Sequence, residues 1–188
     1  TQFAIRSPKV NLYEPLLQLA NEEFNNYYRL NNRPVLRIAG ATGKTKQAVD
    51  EARLAVKNNF DAVLLSLAAF EDADNTELLE HCKQVAEVMP LFGFYLQPSV
   101  GGRKLDVDFW REFAAIDNVI AVKIAPFNRY HTLDVVRGVV ESGRADNIAL
   151  YTGNDDNILV DLLTEFHFNI NDTIVKKRIV GGLLGHWS

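Results

Sequence analysis

The sequence predicts an α/β fold, an incomplete (β/α)8 TIM barrel of about six strands that forms a single domain over residues 1–188. Three observations carry this expectation. Short apolar runs alternate regularly with amphipathic helical stretches, and that alternation builds a parallel sheet. The repeat is evenly spaced, which suits a closed barrel better than a doubly wound open sheet. In two of the strands one face is bulky and apolar, whereas the other holds small residues and one polar side chain. That is the pattern of a sheet with helices on one side and a lumen on the other.

The expected strands are Pro34–Ala39, Ala62–Ala68, Leu91–Gln97, Val119–Ala125, Ile148–Thr152 and Arg178–Leu184. Each is a short apolar run, as buried parallel strands are. The helical stretches are Leu12–Leu30, Gln47–Asn58, Asn75–Val88, Asp108–Ala115, Thr132–Ser142 and Asn157–Phe166. In the first, Leu16, Leu17, Ala20, Phe24 and Tyr27 make one stripe; in the second, Ala48, Ala52, Ala55 and Val56 do. Thr45, Asp74, Asp106 and Asp155 or Asp156 stand where N-caps belong. Within Leu91–Gln97, Phe92, Phe94 and Leu96 are expected to meet helices, and Gly93, Tyr95 and Gln97 to face the lumen. Within Val119–Ala125, Ile120, Val122 and Ile124 should meet helices, leaving Val119, Ala121, Lys123 and Ala125 inside. The opening at Thr1 and the stop at Ser188, straight after a glycine-rich apolar run, both read as cuts through a fold.

Composition narrows the function. Apolar residues at 47% and charged residues at 23% are an ordinary globular mix. The net charge of -4 is spread along the chain, with no basic patch interleaved with aromatics, which argues against nucleic acid as a partner. The one cysteine, Cys82, excludes a disulfide framework and a cysteine metal cluster, and fits a reducing cytoplasm. No apolar run reaches the roughly 18 residues of a membrane span, and no signal peptide pattern is visible. His81, His131, His167 and His186 lack ligand spacing, so no metal or cofactor is expected.

Lys123 is the sharpest chemical signal. It lies in Val119-Ile-Ala-Val-Lys-Ile-Ala125, where every neighbour is apolar. Burying an ammonium is costly, so such a lysine shifts toward the free amine, which is a nucleophile for ketones. A snorkelling or ion-paired structural lysine is the competing reading. Tyr95 lies one strand earlier, near the carboxyl end where barrel sites gather, and a phenol there could shuttle protons; packing alone would also explain it. Gly153-Asn-Asp-Asp156 follows a strand end, where Gly153 would let backbone approach a ligand. A turn with a helix cap explains Asp155 and Asp156. Gly40-Ala-Thr-Gly-Lys-Thr45 resembles the end of a phosphate-binding loop, yet Ile38 stands where that loop needs its first glycine.

Together these residues resemble the dihydrodipicolinate synthase / N-acetylneuraminate lyase family over nearly the whole chain. Tyr95-Leu-Gln-Pro98 matches its Tyr-x-x-Pro motif, Ala121-Val-Lys123 its Gly/Ala-x-Lys motif, and Thr152-Gly-Asn-Asp155 its Ser/Thr-Gly-x-Asp motif. Gly40 to Thr45 with Ala48, and the pair Gly181-Gly182, match two further patterns in order. The resemblance implies that the chain holds family strands 3 to 8. It implies that Lys123 forms a Schiff base with a 2-oxo acid such as pyruvate, while Tyr95 relays protons. It implies that Thr1, Gly153, Asn154, Gly181 and Gly182 lie at the substrate, with no cofactor and a homo-oligomeric full-length parent. Two departures stand out. Val100 occupies the position of an arginine that binds the second substrate in the synthases, and Leu67-Ala-Ala-Phe70 lacks their tyrosine pair. They point to a divergent aldolase or sugar-acid dehydratase. Arg103 and Arg129 are the remaining candidates for an anion. A non-catalytic barrel that binds a small acid, and a nucleotide-binding α/β protein using Gly40–Thr45, are the alternatives.

Overall fold

The computed structural model describes residues 4–183. The elements are α1 (Tyr13–Asn31), β1 (Ile38–Ala41), α2 (Thr45–Lys57), β2 (Ala62–Leu65), α3 (Asn75–Ala86), β3 (Leu91–Leu96), α4 (Val107–Ala114), β4 (Val119–Ala125), α5 (Arg129–Glu141), β5 (Ala149–Thr152), α6 (Ile158–Leu163), β6 (Glu165–Ile170), β7 (Thr173–Arg178) and β8 (Gly181–Gly182). β1, β2, β3, β4, β5 and β8 form one sheet in that order, and each neighbouring pair is parallel. Residues from both edge strands, Ile38 and Gly40 of β1 and Gly182 of β8, line one cavity with Leu64, Phe92 and Lys123. The sheet is therefore curled toward a lumen, the incomplete barrel that the strand-helix repeat implies.

The outer face of the sheet carries the core. Ala39, Ala41, Val63, Leu65, Leu91, Tyr95, Val122, Ile124 and Leu150 pack there with Ala48, Ala52 and Ala55 of α2, Leu78, Cys82 and Val85 of α3, Phe109, Trp110 and Phe113 of α4, and Val135, Val136 and Val139 of α5. Each fully buried large side chain in this layer contributes about 1.5–3 kcal/mol.

The faces of β3 are the reverse of the expected ones. Gly93 and Tyr95 meet the helices, and Phe92 lines the lumen. The bulk over this strand comes from α4: a Cβ on Gly93 would sit 2.7 Å from Phe113 Cε1 and 3.5 Å from Trp110 Cζ3. The glycine is the hole that the α4 aromatics fill. On β4 the expectation holds for Val122, Ile124 and Lys123 but fails for Val119, which joins the outer core. The cause is a bulge. Leu91 pairs with Val119, but Phe92 pairs with Ala121, so Ile120 is an extra residue in β4. One inserted residue exchanges the two faces of a strand.

A second difference is the β6–β7 hairpin, antiparallel from Glu165↔Arg178 to Ile170↔Thr173. The sequence reading ran a helix to Phe166 and a strand from Arg178. Asn171 and Asp172 take positive φ values of 49° and 62°, as a two-residue hairpin turn requires. Phe166 anchors the ribbon in the core, and Lys177 Nζ donates to the carbonyls of Ala145 and Ile148. Caps also differ. Asp74 and Asp106 cap α3 and α4 through Glu77 and Phe109 N–H. Thr45 begins α2 behind Lys44, however, and Asn157, not Asp155 or Asp156, precedes α6. Asn128 caps α5 by accepting from Tyr130 and His131 N–H.

Helices α4 and α5 touch at Gly138, where a Cβ would lie 2.6 Å from Trp110 Cβ and 2.8 Å from Arg111 N. Alanine gains about 1 kcal/mol of helix propensity over glycine, but backbone cannot yield as a side chain can, and overpacking costs about 1–3 kcal/mol. Gly138→Ala is expected to lower stability in a urea titration despite the better helix former.

Candidate active site

Lys123 enters the lumen from the middle of β4, where the parallel ladder fixes it between Phe94 of β3 and Tyr151 of β5. Its stem runs past Gly153: a Cβ there would lie 3.0 Å from Lys123 Cε and 2.9 Å from Ala125 Cβ. Gly153 thus leaves room for the lysine. Nζ rests 5.0 Å from the centre of the Phe94 ring. Burial pushes the amine below the ordinary lysine value, and the charge of Asp155 opposes that shift. The cavity it lines measures about 420 Å³, room for a small acid.

Tyr95 is not beside the lysine. It pairs with Ile124, not Lys123, and is fully buried under the helices. Its ring packs 5.3 Å from Trp110 and 5.8 Å from His131. Its hydroxyl donates to Leu105 O and accepts from Leu105 N, both at 3.1 Å. The bulge at Ile120 explains this. The spacing that matches Tyr95 to Lys123 by simple register matches Phe94 to Lys123 once one residue is inserted. The phenol on the lysine's own face is Tyr151, which the sequence reading passed over; its ring lies 5.5 Å from Phe92. Alternation of Tyr151 with buried Leu150 and Thr152 was the available signal.

The other expected site residues divide. Thr1 lies outside the described residues. Gly153 is beside Lys123 and Gly182 lines the cavity, while Gly181 lies under the Tyr151 ring, 3.1 Å from where its Cβ would be. Asn154 turns away. Its amide donates to Thr132 Oγ1 at 3.2 Å and Asp161 Oδ2 at 3.0 Å, and its carbonyl oxygen accepts from Phe127 N. Asp161, with no exposed surface, also accepts from Thr152 Oγ1 at 2.7 Å and pairs with Arg129. This network locks the β5–α6 loop and so places Gly153.

The arginines once free to take an anion are engaged elsewhere: Arg129 with Asp161, and Arg103 with the carbonyls of Phe70 and Ala73. The Gly40–Thr45 loop is not a phosphate cradle. Thr42 N–H donates to Glu51, Lys44 Nζ stands 4.0 Å over the Phe70 ring, and Thr45 meets His81 Nδ1. Burial pushes His81 down to about 4, so it stays neutral. Among the described residues, no cluster of three or more His, Cys, Asp or Glu side chains is placed to hold a metal ion, and no helix is long and apolar enough to cross a membrane.

Two substitutions separate these roles. Tyr95→Phe strands the buried Leu105 N–H and carbonyl and is expected to cost about 1–2 kcal/mol in a denaturant titration; an unchanged midpoint would mean that the hydroxyl has no structural role. Asp161→Ala leaves Arg129 and Asn154 without their partner at a buried position, and the expected loss is about 3–5 kcal/mol, read from the same titration.

A family model described as the Dihydrodipicolinate synthetase family matches residues 17–170. A 4-hydroxy-tetrahydrodipicolinate synthase of Acaryochloris marina is 28% identical over 152 residues, covering 79% of this chain and 49% of that protein. The chain thus spans about half the length of this curated relative. The synthase of Cyanidioschyzon merolae with lysine bound superposes at a TM-score of 0.66 with 18% identity, over 79% of this chain and 47% of that one. The synthase of Acinetobacter baumannii complexed with pyruvate gives 0.60 with 22% identity, over 76% and 48%. The prophage protein YagE of E. coli K12, also with pyruvate, gives 0.62 with 17% identity, over 75% and 46%. A lumen lysine on the fourth strand of a curled parallel sheet, matched in sequence over most of the chain, places it in the dihydrodipicolinate synthetase family.

Proposed function

We propose that the protein is a lyase in which Lys123 forms an imine with a 2-oxo acid. The observation that carries this reading is an amine deprotonated more readily through burial, free of any salt bridge among the described residues, and aimed into a cavity of about 420 Å³. The solved relatives that hold pyruvate support the substrate class.

The neutral Nζ attacks the ketone carbon, and the C=O π electrons become an alkoxide that takes up a proton. The nitrogen releases one of its protons, the oxygen gains a second one from solvent, and it leaves as water to give a protonated imine. Its positive nitrogen draws electrons from the adjacent carbon, which releases a proton to give the enamine. The enamine carbon then bonds to an aldehyde, or the reverse sequence breaks that bond, or a neighbouring hydroxyl leaves as water. Hydrolysis of the imine restores Lys123. Phe94 and the apolar residues Ile38, Leu64 and Phe92 on the lumen wall lower the local polarity around the amine, which favours its neutral form.

A non-catalytic barrel that binds a small acid is the second reading, favoured by the distance of the Tyr95 phenol from the lumen. Binding of pyruvate by calorimetry that survives Lys123→Ala unchanged, without a reducible adduct, would establish it.

The test is borohydride reduction of the intact protein in the presence of pyruvate, with mass spectrometry of the peptide that carries Lys123. An adduct is expected, and absence of one across several 2-oxo acids would sink the proposal. Its pH dependence is also set. Capture needs the neutral amine, so it rises with pH through a midpoint below that of ordinary lysine. Because Asp155 raises the lysine value, Asp155→Asn is expected to move that midpoint to lower pH.

A further inference from the structure

The wall of the Lys123 cavity points to a class of substrate. We propose that the site takes 2-oxo acids whose chain beyond the reacting carbons is a plain hydrocarbon, with no second acid group and no row of hydroxyls. This rests on Lys123 as the imine-forming residue.

The lining carries the argument. Lys123 is the sole polar side chain among the described residues that line the cavity; the others are Ile38, Leu64, Phe92 and Leu183, with Gly40 and Gly182. Parallel pairing sets part of this wall in one row, with Gly40 opposite Leu64 and Leu64 opposite Phe92. The Tyr151 ring backs Phe92 at 5.5 Å and is itself held against Gly181, where a Cβ would lie 3.1 Å from it. From β1 to β3 the surface facing the amine is therefore apolar.

This wall is not used up in packing. The neighbours of Ile38 and Leu64 that turn toward the helices are sealed, with Ala39 3%, Val63 0% and Leu65 1% exposed. On the lumen side Ile38 and Leu64 are only half-buried, and Leu183 is 37% exposed. Apolar surface left open in this way is stabilised when an apolar group covers it. The cavity of about 420 Å³ falls within the range of about 300–1,000 Å³ typical of ligand clefts.

The polar groups that a diacid or a sugar acid would need are held elsewhere. Arg6 is bound by Gly40 O and Glu51, Arg103 by the carbonyls of Phe70 and Ala73, and Arg129 by Asp161. None of the three lines the cavity. A second carboxylate or a hydroxyl pressed against Ile38, Leu64 and Phe92 would give up its water and meet no donor in exchange. A methylene in the same place loses nothing, and its burial is worth about fourfold in affinity.

The experiment is borohydride capture on the intact protein with pyruvate, 2-oxobutanoate, 2-oxopentanoate and 2-oxoglutarate, comparing half-saturation for each. Half-saturation is expected to fall about fourfold with each added methylene, and to be about tenfold or more higher for 2-oxoglutarate than for 2-oxopentanoate. A lumen filled by other side chains would give a flat or rising series, and that result overturns the proposal, as does 2-oxoglutarate matching 2-oxopentanoate. Leu64→Asn places an amide in the wall at similar volume. It is expected to shrink the advantage of 2-oxopentanoate over pyruvate about threefold or more, a ratio that does not depend on the fraction folded; an unaltered ratio would put the chain elsewhere and overturn the assignment. If no acid forms an adduct with the unsubstituted protein, the Lys123 reading fails separately. Calorimetry with the same acids then decides the wall: binding that tightens with each methylene upholds it, and equal or absent binding overturns it.

Discussion

The extra residue in β4 decides which chemistry this sheet can present. In a parallel ladder the side chain opposite a given position is set by register alone, and a shift of one exchanges inside for outside. Ile120 makes that shift between the partners of Leu91 and Phe92. Above the bulge, Lys123 faces the lumen beside Phe94, and Tyr95 faces the helices. Below it, Val119 lies in the outer core with Leu91. The helices then complete the arrangement. Gly93 admits Phe113 and Trp110, and Trp110 together with His131 flanks the Tyr95 ring. Moving Tyr95 inward would empty a fully packed position and strand Leu105, so the outer core holds the inner face in place.

The loop after β5 shows a second dependence. Asp161 is a buried carboxylate that would be costly alone, but Arg129, Thr152 and Asn154 all donate to it. The network ties the start of α6 to the end of β5 and to α5 through Thr132. Gly153 lies within that tied segment, its N–H donating to Ile124 O at 2.7 Å. The lysine stem therefore passes a backbone that cannot drift, and a polar cluster on the helix side sets the shape of the lumen side.

Much of this was legible in the residues. The parallel sheet and the position of Lys123 follow from apolar runs around one lysine, and those are local signals. The capping aspartates Asp74 and Asp106 are local signals as well. The place of Tyr95 was not legible, because a bulge is a relation between two strands and leaves no mark within either. The roles of Asn154 and Asp161 were hidden for a similar reason: their partners Thr132 and Arg129 lie on α5, distant in sequence. The hairpin is different. Phe166, Phe168 and Ile170 alternate with Glu165, His167 and Asn169 ahead of Asn171-Asp172, a strand and turn pattern that the apolar stretch of α6 obscured by running directly into it.

Three influences act on the Lys123 amine, and they do not agree. Burial favours the neutral form, Asp155 favours the charged form, and the face of Phe94 also attracts a cation. Burial is the largest, so the amine is shifted down, but the other two limit the shift. An acid substrate adds another negative charge and would raise the amine again, working against its own reaction. The site is therefore a balance in which burial has to outweigh each charge that the reaction brings to the lysine.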